Sequence, residues 1–254
     1  MKNIITSISP AICIALTFFL GACGSSTPKV EENQNQTLSA TEPTTTTAEA
    51  TPKTAAADKL YLIKTTAGDI KIKVFKECPL HQANFDKLVG EKYYDGVLFH
   101  RVIKEFMIQT GDPNSKKAEA GAQYGDGGPN YTIPAEIYPQ FYHKKGALAA
   151  ARQGDEVNPY KASSGSQFYI VHGKVLTQPD LDNIMMQSGM RFTADAMAAY
   201  KTIGGSPFLD GQYTVFGETI SGLEVVDKIG TTKTLPGDRP VKDIKIITIE
   251  AVTE

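Results

Sequence analysis

One short stretch carries the residues best suited to act on a bound molecule: Phe99-His100-Arg101-Val102-Ile103-Lys104-Glu105-Phe106-Met107-Ile108-Gln109-Thr110-Gly111-Asp112-Pro113. It reads as two short strands around a tight connection, closed by the turn-forming Gly111-Asp112-Pro113. If Lys104-Glu105-Phe106 is the loop, Arg101 pairs with Gln109 and Ile103 with Met107. Side chains alternate across a strand, so Arg101, Ile103, Met107 and Gln109 then share one face. A two-residue loop would put Arg101 and Gln109 on opposite faces. The odd loop makes a mixed surface, with a permanent cation and an amide beside apolar groups. On spacing alone, an ordinary hairpin with an exposed Arg is the favoured reading.

Other residue types capable of chemistry lack the spacing for it. The four His residues (81, 100, 143, 172) are scattered, with no His-Glu-x-x-His pattern, and the three Cys (13, 23, 78) form no Cys-x-x-Cys pair. No metal site or cofactor is expected. Gly125-Asp126-Gly127-Gly128 lacks the Lys-Ser/Thr of a phosphate cradle and reads as a flexible turn. A hydrolase reading lacks both a Gly-x-Ser-x-Gly elbow and a partnered nucleophile. The net charge of −2 and the absence of a run of like charges argue against a nucleic-acid partner.

The elements that must position the hairpin follow from periodicity. Hydrophobic residues make up 41% of the chain, enough for a real core. Leu60–Thr66 and Ile70–Phe75 read as strands around a turn at Ala67-Gly68-Asp69, with Ile70, Ile72 and Val74 alternating with Lys71 and Lys73. Pro79 opens a helix whose stripe is Leu80, Ala83, Phe85 and Leu88, stopped by Gly90. Residues 111–145 read mostly as loop. Gly146–Arg152 and Ser166–Val171 are apolar enough for buried strands. Two short helices are expected in residues 174–207. Thr177 and Asp180 cap the first, which carries Leu181, Ile184 and Met185; the second, near 194–203, carries Met197, Tyr200 and Ile203. Strand Tyr213–Glu218, a helix capped by Ser221 and Glu224 and ended by Gly230, and strand Ile244–Val252 complete the chain.

Before all of these, Lys2 precedes an apolar run from Ala11 to Leu20. A membrane-spanning helix needs about 20 apolar residues, so the run suits a signal-peptide core better. Leu20-Gly21-Ala22-Cys23 resembles a bacterial lipobox. That resemblance implies removal of residues 1–22, a lipid on Cys23 and a membrane partner through that anchor. The expected place is the bacterial cell envelope, at the outer membrane in a Gram-negative cell since Gly24 follows the Cys, with the folded part outside the cytoplasm. Residues 23–58 then form a disordered tether. Its Thr, Ala, Glu and Pro residues cannot bury enough apolar surface to offset the entropy of ordering. As a coil it would span roughly 30–35 Å. The folded domain is residues 59–254, expected to be monomeric.

The stretch 99–113 resembles the signature of the cyclophilin-type peptidyl-prolyl isomerases. Three more blocks match in order: Gly146-Ala147-Leu148-Ala149-Ala150-Ala151-Arg152, then Ser164-Gly165-Ser166-Gln167-Phe168-Tyr169-Ile170, then Phe208-Leu209-Asp210-Gly211-Gln212-Tyr213-Thr214-Val215-Phe216-Gly217-Glu218. The resemblance implies a mainly β fold, an eight-stranded antiparallel closed barrel with two flanking helices. Residues 174–207 would be a helical insertion. It also implies isomerisation of Xaa–Pro bonds in proline-containing polypeptides, with Arg101 as hydrogen-bond donor to the prolyl nitrogen. Gln109 would hold Arg101 or bind substrate. Phe106, Met107, Tyr169 and Leu209 would form the proline pocket, and Ala151 and Arg152 would line the groove, Arg152 through its backbone. Three positions depart from the pattern: Phe208 stands for the common Trp, Tyr213 for His and Tyr169 for Phe, and proline binding should survive all three. These departures and the insertion leave an alternative, a proline-segment-binding chaperone with vestigial isomerase activity.

Overall fold

The alternation Ile70-Lys71-Ile72-Lys73-Val74 forms a strand whose apolar residues are fully buried, while both lysines are half-exposed. A computed structural model describes residues 57–253. The signal segment, Cys23 and the tether up to residue 56 lie outside the described residues. Among the described residues ten strands occur: β1 (Lys59–Thr65), β2 (Gly68–Val74), β3 (Arg101–Ile103), β4 (Met107–Thr110), β5 (Thr132–Ile133), β6 (Ala147–Ala150), β7 (Ser163–Ser164), β8 (Phe168–Val171), β9 (Val215–Ser221) and β10 (Ile246–Val252). The α-helices described there are α1 (Pro79–Gly90), α2 (Gln178–Ser188), α3 (Ala194–Thr202) and α4 (Leu223–Gly230).

Eight strands form one antiparallel sheet in the order β10-β1-β2-β9-β6-β8-β4-β3, and β5 pairs separately with β7. A closed barrel was the expectation. The sheet curls instead to bring its ends together without a β3–β10 ladder. The segment just before β3 joins them: Gly96 N–H donates to Ile246 O (2.8 Å), Ile246 N–H to Val97 O (2.8 Å) and Phe99 N–H to Ile244 O (2.9 Å). Inside the curl, Phe85 of α1 meets Tyr61 and Phe168 edge-on, at ring separations of 5.1 and 5.7 Å. Val225, Val226 and Ile229 of α4 belong to the same core. Each such side chain contributes about 1.5–3 kcal/mol by leaving water.

Helix α1 departs from its expected stripe. Its buried face is His81, Gln82, Phe85, Leu88 and Val89, with Leu80 half-buried and Ala83 exposed. The polar pair is buried because distant groups satisfy it. The Glu136 carboxylate accepts the backbone N–H groups of Leu80 (3.0 Å) and His81 (2.9 Å) and bonds the His81 ring at 2.7 Å. Gln82 Nε2 donates to Val74 O at 3.2 Å. The carboxylate thus caps amides that a helix N-terminus leaves unpaired. Gly90 is the helix's last residue rather than a stop beyond it, and Lys92, at φ 54°, carries the reversal.

The cap expected for α4 is absent. Ser221 is the end of β9, and the N-cap is Gly222 at φ 90° with no side-chain cap bond. A Cβ at Gly222 would lie 2.4 Å from Asp69 O, so close approach of β2 decides that position. In the insertion, Thr177 and Asp180 cap α2 reciprocally, as expected. Leu181, Ala196 and Tyr200 form a small core with Leu176, while Ile203 falls just past α3 and is exposed. The Gly125–Gly128 loop is tied rather than loose. Asp112 accepts N–H bonds from Gly125 (2.6 Å) and Gly127 (3.1 Å), and Gln167 Nε2 donates to both their carbonyls at 2.7 Å.

Candidate active site

The hairpin has an odd, three-residue loop. Arg101 pairs with Gln109, Val102 with Ile108 and Ile103 with Met107, around Lys104-Glu105-Phe106. Glu105 takes the left-handed conformation, φ 61°, at the third position of the turn that Phe106 N–H closes on Ile103 O (3.1 Å). Its N–H donates to His172 Nδ1 (2.8 Å), and Phe106 O accepts from the N–H groups of His172 and Gly173, both at 3.1 Å. Val102 and Ile108 therefore face the core, and the other face looks into a pocket of about 150 Å³. Arg101, Phe106, Met107, Gln109, Ala151, Arg152, Tyr169, Leu209 and Tyr213 line it. That volume holds a benzene ring in another protein, so a proline ring fits.

Register explains the grouping. Tyr169 of β8 sits between Gln109 of β4 and Ala149 of β6, pointing its ring to the pocket floor. Leu209 ends a one-turn 3-10 segment, Pro207–Leu209, and reaches the pocket. Phe208, in the same turn, does not line it. Phe208 is half-exposed and leans on the outer side of Phe106, ring centres 5.4 Å apart. The Arg152 guanidinium lies over the Tyr213 ring at 4.6 Å, and its Nε–H donates to Gln212 O at 2.8 Å. Its side chain thus builds the wall in addition to the backbone role expected for it.

Arg101 is held lightly. Its Nε lies 3.6 Å from Asp238 Oδ2, with both side chains more than two-fifths exposed. Such a pair is worth about 0–1 kcal/mol, so the guanidinium stays available at the pocket mouth. Gln109 does not bond Arg101. Its Nε2 donates to Gln167 Oε1 at 3.0 Å, and Gln167 is anchored to the Gly125–Gly127 backbone. Gln109 lines the pocket beside Arg101, and no hydrogen bond joins the two among the described residues.

A buried polar chain beneath the pocket escaped the sequence reading. Tyr169 Oη lies 3.0 Å from His143 Nε2, and His143 Nδ1 lies 2.8 Å from Asp210 Oδ1. Asp210 Oδ1 also accepts His143 N–H (2.8 Å), and Tyr200 Oη donates to Asp210 Oδ2 (2.6 Å). The carboxylate accepts only, so the His143 ring donates from Nδ1 to Asp210, and Nε2 accepts a hydrogen bond from the Tyr169 hydroxyl. Burial, then Tyr213 and Asp210, push the Tyr169 phenol well above its usual range, so it stays a donor. His143 and Asp238 carried no spacing signal; Gln167 and Asp210 lay within matched blocks, without a role.

His100, next to Arg101, is buried, and neither ring nitrogen has a hydrogen-bond partner among the described residues. Desolvation drives its pKa from 6.5 down to about 4; Asp112 opposes the drop and Arg101 adds to it. Between those values the unfolded chain binds a proton that the folded chain does not, so stability rises with pH there. Acidifying from pH 7 to 4 should therefore cost about 3 kcal/mol through this residue. Urea unfolding at several pH values checks this: His100→Phe should flatten the slope between pH 4 and 6.5, and an unchanged slope would refute the assignment.

Residues 60–251 match the family model for cyclophilin type peptidyl-prolyl cis-trans isomerase/CLD. A Streptococcus pyogenes protein named as a bifunctional phosphatase/peptidyl-prolyl cis-trans isomerase is 36% identical over 191 residues, 74% of this chain, but the chain spans only 37% of its length. A Staphylococcus saprophyticus protein named as a peptidyl-prolyl cis-trans isomerase is 33% identical over 192 residues, covering 75% of this chain and 90% of its own length. A crystal structure of a Cryptosporidium parvum cyclophilin type peptidyl-prolyl cis-trans isomerase superposes with TM-score 0.56 at 26% identity, covering 78% of this chain and 99% of that one. A second crystal structure of that protein, in the presence of the dipeptide Ala-Pro, has TM-score 0.55 at 26% identity and covers 77% of this chain and all of that one.

Proposed function

The chain belongs to the cyclophilin-type peptidyl-prolyl cis-trans isomerase family, and from that premise we propose how its pocket turns Xaa–Pro bonds. Amide resonance sets a barrier of about 18–20 kcal/mol. No covalent bond has to break, so no nucleophile is needed. In the twisted amide the prolyl nitrogen becomes pyramidal and accepts a hydrogen bond that the planar amide barely takes. A donor aimed at that nitrogen therefore binds the transition state more strongly than the ground state. Arg101 is that donor: permanently charged, with N–H groups in a rigid fork.

The observation that carries this reading is the shared face of Arg101, Met107 and Gln109 around one pocket with an apolar floor and a polar edge. Met107, Tyr169, Leu209 and Phe106 grip the ring, while Gln109 and the Ala151–Arg152 edge hold the flanking chain. An acceleration of 10⁵-fold would need about 7 kcal/mol. One preorganised donor supplies about 3–4 kcal/mol, so the grip on ring and chain must supply the rest. The test is the cis-to-trans rate of a proline tetrapeptide with purified protein. Acceleration that saturates with peptide supports the proposal; a rate equal to background would end it.

We further propose that the substrates are exported polypeptides and that Cys23 carries a lipid holding the enzyme at the envelope. The Leu20-Gly21-Ala22-Cys23 pattern after an apolar run supports this, and several acyl chains would anchor stably where one is marginal. Cells fed a labelled fatty acid should label the protein, and Cys23→Ser should abolish the label. Label persisting in that variant would refute the anchor.

A further inference from the structure

The 174–207 insertion does more than cover the domain. Its 190–196 segment and the 137–142 loop enclose an open cleft of about 350 Å³. Tyr138, Phe141, Tyr142, Met190 and Phe192 line it half-buried, and exposed Arg191 stands at its edge with no carboxylate within ion-pair distance among the described residues. Asp210, Gly211 and Gln212 form its remaining side. These are the middle of the turn whose ends, Leu209 and Tyr213, line the proline pocket. One five-residue turn thus separates the two cavities. It is held from the insertion side by Tyr200 and from the pocket side by His143, both on the Asp210 carboxylate. The space where a Gly211 side chain would stand is open, with no atom within 4 Å.

We infer that this cleft is a second substrate subsite, taking a large aromatic or aliphatic side chain a few residues from the bound proline, with an acidic neighbour meeting Arg191. The two cavities lie on either side of one turn, Leu209–Tyr213, and this adjacency points to the same polypeptide as occupant. An extended chain advances about 3.3 Å per residue, so a residue two to four positions away reaches across one turn. The aromatic lining selects for apolar bulk, and the cation selects the charge. Binding remote from the reacting bond strengthens substrate capture and helps hold the twisted state. The inference deepens the proposed isomerase reading and rests on the Arg101 pocket being the proline site.

The test uses the full chain and fluorescein-labelled decapeptides, with Phe-Glu placed two to four residues from the proline on either side, against Ser-Ser controls. Anisotropy should give roughly tenfold tighter binding of one Phe-Glu peptide over its control, the scale expected for one buried aromatic side chain. In Met190→Ser and Arg191→Glu, the ratio between the two peptides should collapse towards one. Equal affinity for Phe-Glu and Ser-Ser peptides in wild type, or a ratio that survives both substitutions, overturns the subsite. The tetrapeptide rate assay is read separately. Failure there sinks the isomerase reading, whatever the binding ratio.

Discussion

Arg101→Ala should lower kcat/KM for a proline tetrapeptide by about 10²–10³-fold, the loss typical of one preorganised donor. The fall should lie mainly in kcat, because the planar ground-state amide gains little from the guanidinium. Stability should scarcely move. Among the described residues the only ion pair lost is the exposed contact with Asp238 at 3.6 Å, worth at most about 1 kcal/mol. Arg101→Lys should recover only part of the rate, since it restores charge without the rigid fork. Peptide-coupled kinetics with a urea-stability control decide the matter. Full wild-type rate in Arg101→Ala would remove Arg101 from the mechanism, and retained peptide binding with unaccelerated wild type would favour the chaperone reading.

Asp210→Ala should destabilise the domain by about 4 kcal/mol. Its carboxylate accepts from His143 N–H, from the His143 ring and from the Tyr200 hydroxyl, and removing it strands three buried donors. Each costs about 1–2 kcal/mol when unpaired in the interior. Asp210→Asn keeps one acceptor oxygen, so it should fall between wild type and Ala. Tyr200→Phe, which removes one donor together with its bond, should cost only about 1 kcal/mol. The urea midpoint at unchanged m-value measures each change. A loss below about 1 kcal/mol in Asp210→Ala would show that water satisfies these donors and that the turn between the two cavities is not held as described.

The features legible in the chain are those whose causes lie within a few residues. The Ile70–Val74 alternation, the Thr177–Asp180 cap and the odd hairpin loop are set by backbone periodicity and turn chemistry, and each stands in the structure. The buried face of α1 was misread because His81 looks polar until Glu136, 55 positions away, satisfies it. The cap of α4 was misplaced because the strand passing Gly222 leaves no room for a Cβ, a constraint absent from local spacing.

The candidate site divides along the same line. The sequence by itself determined that an odd loop would put Arg101, Met107 and Gln109 on one face and an even loop would not; the register Arg101–Gln109, Ile103–Met107 is what the structure supplies. Only the tertiary structure decided that Phe208 leans on the rim instead of entering the pocket, and that Gln109 is anchored by Gln167. It also decided that Asp210, 67 positions from His143 in the chain, ties pocket floor to insertion. Alternation and turns are properties of neighbouring peptide units. The partners of a buried carboxylate or amide are whatever groups packing brings within about 3 Å, and no local pattern records them.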